Sequence, residues 1–580
     1  MFLKRATLAF LVVAIGLAAA GRAAAADVLD AIPNTALAVV LVNRLEATID
    51  KIEKLAVKVQ APSASLLPLT RLHTGINEGL DDKATAAIAW LPSEEHSLES
   101  PIPIVILPVT DYAKFVAQFK PENAKGKITQ VNVTGKPMLV CQRGGFAVLT
   151  GVEYETALKD VLASTKSVGE DLSPLRTWLA EVDVAAVAMP STIKIFSGLA
   201  AKKLSMVEQP GLPGEPNEAA MRPAGRIFQQ VLSAAGDELQ LAAIGIRADE
   251  AGTVRVTTRQ RLTPGGEWAA AADRVEAPGK SLLTGLPEGP FALVDAIQFS
   301  EPFRHLMAWG VSEQGRKLNP ALAKLSAEQQ ARLVDVVGRM AAQQQNAKFW
   351  LGATKPDEPL YGNAVGISKV EDTKKYFALF EEFNQLQFGA NKDGRPIAMS
   401  EIHHIRVHGH EALEVIGNMK QMAGLQPALL AAPLKAAMIK IFGSDDQVRT
   451  YMAAIDEHTV VSAFISVDNL QRAIAAVERN GGSGGGLDPP AAEIAARLPT
   501  DAQGVALVNL SAVTEFAQSM AASVLGAKGP VFEFPASPPI GLALKVSSAG
   551  VQGETVISGA TLEAIGQFVA NLRDKPHAAD

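Results

Sequence analysis

The stretch ALAVVLVNRLEATIDKIEKLA (36–56) joins a short apolar strand to an amphipathic helix. An apolar run of this length is typical of a strand in a sheet that is covered on at least one face. The same order recurs in IPIVILPVTDYAKFVAQF (102–119) and NAVGISKVEDTKKYFALFEEF (363–383). In these two stretches Asp111 and Asp372 follow the strand, where a carboxylate can accept the free amides of the first helical turn. The pattern therefore predicts strand–helix units in which both aspartates are helix N-caps.

A two-residue periodicity interrupts the strand–helix units. KITQVNVTGKPMLVCQ (127–142) alternates around a turn that begins at Gly135, and HHIRVHGHEALEVI (403–416) alternates around Gly409-His410. Alternating runs on either side of a glycine predict antiparallel hairpins. Helices mixed with hairpins in this order predict an α+β fold with a mixed sheet.

Similar stretches recur along the chain. IPNTALAVVLVN (32–43) aligns without a gap on LPTDAQGVALVN (498–509). Trp90 and Trp350 each precede one of two similar strand–helix units. The recurrence of short motifs in the same order indicates an internal duplication, and the repeated tryptophan predicts core packing at matched positions.

The repeats predict two sequence-related α+β halves. The first covers residues 27–275 and the second covers residues 282–576. The alignment of the halves breaks near 417–447, which predicts a helical insertion in the second half. A chain of this length is too long for one hydrophobic core, in agreement with a division into domains.

Residues 1–26 have the features of a secretory signal peptide. Lys4 and Arg5 precede the apolar stretch ATLAFLVVAIGLAAAG (6–21), and a run of alanines comes directly before Asp27. A transmembrane anchor is the alternative, and the alanine-rich end favours cleavage over it. No later stretch has the roughly 18 uninterrupted apolar residues that a spanning helix needs. We therefore expect an exported protein, periplasmic or extracellular, without a transmembrane anchor after signal cleavage.

The chain is net acidic, with 54 Lys and Arg against 61 Asp and Glu, and it has a single cysteine, Cys141. Binding to nucleic acid requires several cations on one face, so we expect no nucleic-acid partner. One cysteine cannot form an internal disulfide, and stability must come from packing. Because Cys141 ends the apolar run MLVC, we predict a small buried side chain and no nucleophile.

Histidines are concentrated in the second hairpin. The candidate metal ligands are His404, His408 and His410, and Glu411 could complete the set. In one strand His404 and His408 would share a face at roughly 13 Å, too far for one ion, whereas His408 and His410 could converge across the turn. The alternative is an exposed hairpin face that tolerates histidine. Positions that match His403 and these three in the first hairpin carry other polar residues, namely Thr129, Gln130, Thr134 and Lys136. This comparison favours an exposed surface, and we assign no catalytic residue.

Several of these features together resemble a known group of proteins. They are the signal peptide, an [IL]-P-x-[TD] motif before an apolar strand (32–35 and 498–501), the PVTDYAKF unit (108–115) and the VNVTGKPMLV hairpin (131–140). The combination is similar to a family of secreted bacterial proteins of unknown function with duplicated strand–helix and hairpin repeats. The resemblance implies an exported, duplicated, non-enzymatic protein of the cell envelope. It transfers no catalytic residue to this chain.

From these features we expect a binding or scaffolding protein of the cell envelope that uses no cofactor. Its partner would be an envelope protein or a small molecule. Two alternatives stay open: a hydrolase of an envelope substrate, metal-assisted through His408 and His410, and a carrier of an apolar ligand. A bound metal would favour the hydrolase, and a deep dry cavity would favour the carrier. A surface with neither would favour an interaction protein.

Export can be tested by cell fractionation. Deleting residues 2–26 is expected to leave the protein in the cytoplasm, because the basic and apolar parts of the signal are lost. The full-length chain is expected in the periplasm or the medium, with Asp27 at its N-terminus when read by mass spectrometry. Recovery of the uncut chain in the membrane fraction would contradict cleavage and favour the anchor.

Overall fold

The chain forms two compact units. A computed structural model describes residues 27–61, 76–93, 101–121, 126–207, 234–278, 282–312, 326–355, 358–385, 400–418, 431–444, 447–479, 486–525 and 533–574. The predicted signal peptide, residues 1–26, lies outside these described residues. Of the described residues, those from 27 to 202 and from 234 to 264 belong to unit 1, and those from 203 to 207 and from 265 to 574 belong to unit 2.

Unit 1 combines nine strands with several helices among its described residues. The strands are β1 (Ala38–Val42), β2 (Ala86–Leu91), β3 (Ile102–Pro108), β4 (Ile128–Val133), β5 (Lys136–Arg143), β6 (Phe146–Gly151), β7 (Val184–Ala188), β8 (Leu239–Ala248) and β9 (Val254–Leu262). The helices include α1 (Leu45–Lys58), α2 (Tyr112–Ala117), α3 (Glu155–Ala163), α4 (Val168–Asp171) and α5 (Arg176–Glu181). Helix α6 (Pro190–Val207) begins in unit 1 and crosses its boundary after residue 202.

The unit 1 strands pair in the order β4-β5-β6-β3-β2-β1-β7-β8-β9. Side chains alternate between the two faces of this sheet. One face carries Val39 and Leu41, which pack in a core with Trp178 of α5. The other face has its own core beneath α1 and α2, where Leu45 and Phe115 are fully buried. Helical segments therefore cover parts of both faces.

A buried carboxylate ties the start of β7 to its neighbours. Asp183 is almost fully buried, and its carboxylate accepts a hydrogen bond from the Ala248 amide (2.8 Å). Lys51 Nζ lies 2.8 Å from the same carboxylate, and Arg44 Nη2 lies 3.0 Å from it. The backbone N–H of Asn43 donates a hydrogen bond to the backbone carbonyl oxygen of Asp183 (2.8 Å). One residue thus connects α1, the end of β1 and the end of β8.

Unit 2 has ten strands among its described residues. They are β10 (Phe291–Gln298), β11 (Gln344–Gly352), β12 (Ala364–Val370), β13 (Ser400–Val407), β14 (His410–Asn418), β15 (Gln447–Ala454), β16 (Thr459–Phe464), β17 (Gly504–Val508), β18 (Ile540–Ser547) and β19 (Gly550–Ile557). The helices include α7 (Glu267–Ala272), α8 (Glu301–Val311), α9 (Ala327–Gln343), α10 (Thr373–Gln385), α11 (Ala431–Phe442), α12 (Val467–Arg479), α13 (Pro489–Ala496), α14 (Leu510–Leu525) and α15 (Gly559–Asp574).

The unit 2 strands pair in the order β13-β14-β15-β16-β12-β11-β10-β17-β18-β19. Val294 and Trp350 lie on one face and pack in a core with Leu470 of α12. Met452 lies on the other face and packs with Tyr376 of α10. Helix α11 falls within the segment for which the sequence predicts a helical insertion.

The α+β class is confirmed, but the predicted mixed sheet is wrong. Within each unit, every pairing between described strands is antiparallel. A strand followed by a helix suggests a parallel crossover only if the next strand runs in the same direction. Here α1 leads from β1 to β2, which is its antiparallel neighbour.

Both predicted hairpins form, with turns one residue earlier than predicted. Thr134 and Gly135 have φ angles of 54° and 79°, and His408 and Gly409 have φ angles of 52° and 83°. Positive φ at both central positions is the geometry of a type I′ turn, which matches the twist of the flanking strands. His408 therefore lies in the turn, and His410 is the first residue of β14.

Two of the sequence matches join residues in different structural positions. Strand β1, from 32–43, lies between β2 and β7, whereas β17, from 498–509, lies between β10 and β18. Trp90 lies four residues after Ala86 in β2, so both side chains point to the face of the sheet that packs against α2. Trp350 lies on the face of its sheet that is opposite to α10. The sequence match pairs α2 with α10, so the two tryptophans would have to face these helices in the same way if they were equivalent. A shift of one residue reverses the face of a strand side chain, and apolar similarity does not fix that register.

Asp111 and Asp372 cap their helices, as predicted. Asp111 Oδ1 accepts a hydrogen bond from the Lys114 amide, and Asp372 Oδ1 accepts one from the Lys375 amide, each at 3.0 Å. The bond from the Lys375 amide holds the pKa of the Asp372 carboxyl below its ordinary value. These carboxylates stabilise helix starts by accepting amides that lack an intrahelical partner.

Replacing Asp183 tests its role in unit 1. Asp183→Ala leaves Lys51, Arg44 and the Ala248 amide without their acceptor. We expect a loss of about 3 kcal/mol in the free energy of unfolding, at the low end for a broken buried pair, because both cations reach solvent. Urea denaturation measures it. Glu170→Ala, at an exposed acid of the same unit, is the control and should change stability by less than about 0.5 kcal/mol. Equal effects of the two variants would contradict the assigned role.

Candidate functional site

The histidines of the second hairpin are held apart. His404 Nε2 lies 3.3 Å from Glu381 Oε1 of α10. His410 Nε2 lies 2.9 Å from Glu478 Oε1 of α12. Helices α10 and α12 pack on opposite faces of the sheet, so these two imidazoles point away from each other. His408 is exposed in the turn between the strands.

The hairpin therefore does not gather the candidate ligands around one point. His403 is exposed, and its Nε2 lies 3.8 Å from a Glu401 carboxylate oxygen. In the part of the chain that the structure describes, no three His, Cys, Asp or Glu side chains are grouped so that they could hold a metal ion. The contacts of His404 and His410 are single carboxylates on neighbouring helices, as in ordinary surface ion pairs.

A pocket of about 600 Å³ lies between α10 and the β13–β14 hairpin. Its wall contains side chains of both charges, namely Lys374, Glu381, His404, Arg406 and Glu411. All of these except the half-buried Glu381 are exposed. Pairs between exposed charges contribute about 0–1 kcal/mol, because water competes for them. The pocket can therefore hold a polar molecule only through contacts that solvent weakens.

Cys141 is fully buried in a core of unit 1, as predicted. Burial raises the pKa of its thiol to about 11. The thiol is therefore protonated at neutral pH, and the thiolate needed for nucleophilic chemistry is not available.

Part of each sheet leaves apolar side chains open to solvent. In unit 1, Val40 lies opposite Ala186, and Ala186 lies opposite Ile244 on β8. Directly opposite residues share a face of the sheet. Ile244 and Ile246 are 44% and 41% exposed, although both lie in the interior of a strand. We call Val40, Val184, Ala186, Ile244 and Ile246 the open face of unit 1.

Unit 2 has a face with the same arrangement. Asp295 lies opposite Ala506, and Ala506 lies opposite Leu542 on β18. Leu544 lies opposite Gly504. Leu542 and Leu544 are 37% and 44% exposed, so the leucine pair of β18 is as open as the isoleucine pair of β8. We call Asp295, Gly504, Ala506, Leu542 and Leu544 the open face of unit 2.

Asp295 is a carboxylate among apolar neighbours. Its partners on the adjacent strands are Phe349 and Ala506. Asp295 Oδ1 is buried and has no hydrogen-bond partner among the described residues. Burial raises the pKa of this carboxyl, because its charged form loses hydration and gains no partner in return. The residue is half-buried, and Val513 and Phe516 of α14 pack in one cluster with Phe349 beside it, so Asp295 lies at the edge of the open face where the helix cover begins.

Lys348 on the neighbouring strand does not supply the counter-charge. It lies opposite Ala296, so its side chain points to the other face of the sheet from Asp295. Its ammonium donates a hydrogen bond to the Thr284 carbonyl oxygen. Burial lowers the pKa of the Lys348 ammonium to about 8. Adjacent strands thus carry an anion and a cation that the pleat of the sheet keeps apart.

Sequence reasoning missed Asp295, although a signal was present. The strand FALVDAIQ (291–298) places one acid in the middle of an apolar run. An unpaired charge in such a strand costs free energy, and it requires a partner or a function to offset that cost. Leu542 and Leu544 carried no signal, because alternate apolar residues in a strand predict burial.

No protein family, curated protein or solved structure matches the chain. Among the helices of the described segments, none combines the length and the apolar character needed to cross a membrane.

Removing the Asp295 carboxylate should stabilise the fold. Asp295→Val is expected to raise the free energy of unfolding at pH 7 by about 1 kcal/mol, since a buried acceptor without a partner costs about 1–3 kcal/mol and this one is only half-buried. Urea denaturation of variant and wild type measures the difference. A loss of stability in Asp295→Val would contradict the absence of a stabilising partner.

The pH dependence of this difference has a defined sign. Below the ordinary carboxyl pKa of 3.8, Asp295 is neutral in both folded and unfolded chains. As the pH rises from 3.8 through the raised pKa, the unfolded chain ionises first, and the wild type loses stability. The advantage of Asp295→Val should therefore grow over that interval and stay constant above it. Asp295→Asn, which keeps a polar group without the charge, should show the same pH dependence; an advantage independent of pH would rule out a raised pKa.

Proposed function

We propose that the chain is an exported binding protein of the cell envelope, built from two related units that each bind a partner through an open face. The observation that carries this proposal is the exposure of two neighbouring large apolar side chains at the same place in both units. They are Ile244 and Ile246 in unit 1, and Leu542 and Leu544 in unit 2.

Exposed apolar pairs of this kind differ from isolated surface residues. Single exposed hydrophobic residues are common on monomeric proteins and need no explanation. Ile244 and Ile246 share one strand face and continue onto the half-buried Val40 and Ala186. Contiguous apolar surface of this kind marks interaction sites. Covering each exposed side chain contributes about 1 kcal/mol to association, before the entropy cost of binding.

The order of strands supports the relation between the units. In unit 1 the first strand, β1, lies between β2 and β7, and β7 pairs with the β8–β9 hairpin. In unit 2 the first strand, β10, lies between β11 and β17, and β17 pairs with the β18–β19 hairpin. Equivalent positions are therefore defined by pairing, which is independent of the sequence matches.

A recurring hydrogen bond supports the same alignment. The Ala248 amide at the end of β8 donates to Asp183, the residue before β7. The Val546 amide near the end of β18 donates to Gln503, the residue before β17. Both bonds are 2.8 Å long. A side chain at one strand start thus holds the neighbouring strand in each unit, with a carboxylate in one and an amide in the other.

The expected cell-envelope location rests on the signal-peptide features of residues 1–26. The two alternative functions gain no support from the described residues. The hydrolase alternative places a metal at His408 and His410; His408 is exposed in the turn, His410 Nε2 lies 2.9 Å from Glu478 Oε1, and the described residues contain no group of three His, Cys, Asp or Glu side chains that could hold a metal ion. The pocket beside α10 has a wall that mixes charged side chains with apolar ones such as Phe377, Ile405 and Leu413, whereas an apolar-ligand carrier needs a predominantly apolar wall.

Site-specific photo-crosslinking in cells tests the binding role. A photoreactive amino acid placed at Ile246 or at Leu544 should capture a discrete partner, because both side chains lie on the surfaces that we assign to binding. The crosslinked species is identified by gel shift and mass spectrometry.

Val57 on α1 is the matched control, since it is 63% exposed and belongs to neither open face. The proposal predicts crosslinks at Ile246 and Leu544 that are absent at Val57. Crosslinks of equal yield at all three positions, or none at the two open faces, would refute it.

A further inference from the structure

The open faces of the two units differ in charge at one position. Val40 of unit 1 lies opposite Ala186, and Asp295 of unit 2 lies opposite Ala506. The strand pairing makes Val40 and Asp295 equivalent, with an alanine beside each of them. The exposed pair on the next strand but one is Ile244 and Ile246 in unit 1, and Leu542 and Leu544 in unit 2. These isoleucines and leucines are similar in size and polarity. Unit 2 thus has a carboxylate where unit 1 has a methyl-bearing side chain.

We infer that the open face of unit 2 binds an apolar helical segment of a partner protein that carries one lysine or arginine, with Asp295 as its counter-charge. This inference rests on the proposed function and adds to it the chemistry of the partner. The apolar residues of the segment cover Leu542 and Leu544, and its cationic group reaches the Asp295 carboxylate.

Charge complementarity selects a cationic partner. Asp295 Oδ1 is buried without a hydrogen-bond partner among the described residues, and Lys348 points to the opposite face. Any partner that covers the face removes the remaining hydration of the carboxylate. A purely apolar partner would therefore bury an unpaired charge, which is costly, whereas an ammonium or guanidinium group would form a charge-assisted hydrogen bond with it. The carboxylate thus discriminates against neutral partners as well as favouring cationic ones.

The dimensions of the face fit a helix. Asp295 and Leu542 lie two strands apart, which corresponds to roughly 10 Å across the sheet. An α-helix with its side chains is about 10–12 Å wide, so one helix lying on the sheet reaches both residues. Small-molecule sites enclose most of their ligand, whereas Leu542 and Leu544 stand on an open surface more than a third exposed. The geometry therefore favours a segment of protein over a small amphiphile.

A pair of model peptides tests the inference. The first is a fluorescein-labelled amphipathic helix with leucines and one central lysine on its apolar face. The second replaces that lysine with norleucine. In fluorescence anisotropy titrations, the wild-type full chain is expected to bind the lysine peptide roughly tenfold more tightly than the norleucine peptide, because close charge pairs at interfaces couple strongly.

The variants separate charge recognition from apolar contact. Asp295→Val should abolish or reverse the preference for lysine, and Asp295→Glu should retain it. Glu457→Gln removes one exposed acid in the turn between β15 and β16 and should leave the preference unchanged. Circular dichroism and thermal unfolding of each variant establish that it is folded.

Failure of this inference and failure of the proposed function give different results. If Leu542→Ser/Leu544→Ser abolishes binding but wild type binds both peptides equally, the open face is an interaction surface and Asp295 does not recognise charge. If the double serine variant binds both peptides as wild type does, the open face of unit 2 is not a binding surface at all. If dodecylammonium binds in an Asp295-dependent way and the lysine peptide does not, a small amphiphile replaces the protein segment as the occupant.

Discussion

The first strand of each unit is paired on both of its edges, and the rest of each sheet depends on that pairing. In unit 1, Val40 lies opposite Ile88 on β2 and opposite Ala186 on β7. In a strand that is paired on both edges, a slip of one residue would break both sets of pairings and move every side chain of the strand to the opposite face of the sheet, so its register is strongly specified. The order of β1 and β10 among their neighbours therefore sets which residues of the whole sheet enter the core. Asp183 and Gln503 hold the strands at one end of this arrangement.

Side-chain alternation then explains why a well-packed sheet has an open face. Strands β7 and β8 send Ala185, Val187 and Leu241 into the core on one face of unit 1. The alternate residues of the same strands, among them Ile244 and Ile246, point to the other face, where they remain exposed. Strand β18 does the same in unit 2. An apolar surface that is stable in the folded chain and not covered by it is what a binding protein needs, because no internal contact must be broken before a partner docks.

Local features of the sequence predicted local structure well. The Asp111 and Asp372 caps, the buried Cys141 and both hairpins depend on residues within a few positions of one another. Prediction was wrong where it required long-range register. The two wrong predictions, a mixed sheet and the equivalence of Trp90 and Trp350, both depended on which strands are neighbours. Two apolar strands look alike in sequence whichever neighbour they pair with.

The sequence by itself determined the elements of this protein: apolar strands, capped amphipathic helices, glycine turns, an acidic chain with one cysteine, and an N-terminal signal pattern. These follow from short-range periodicity and backbone chemistry. Only the tertiary structure decided that His404 and His410 face different helices, and that Asp295 Oδ1 has no hydrogen-bond partner among the described residues while Lys348 points to the other face of the sheet. The physical reason is the pleat of the sheet. It sends neighbouring side chains to opposite faces, so proximity along the chain does not bring chemistry together until the strands are paired.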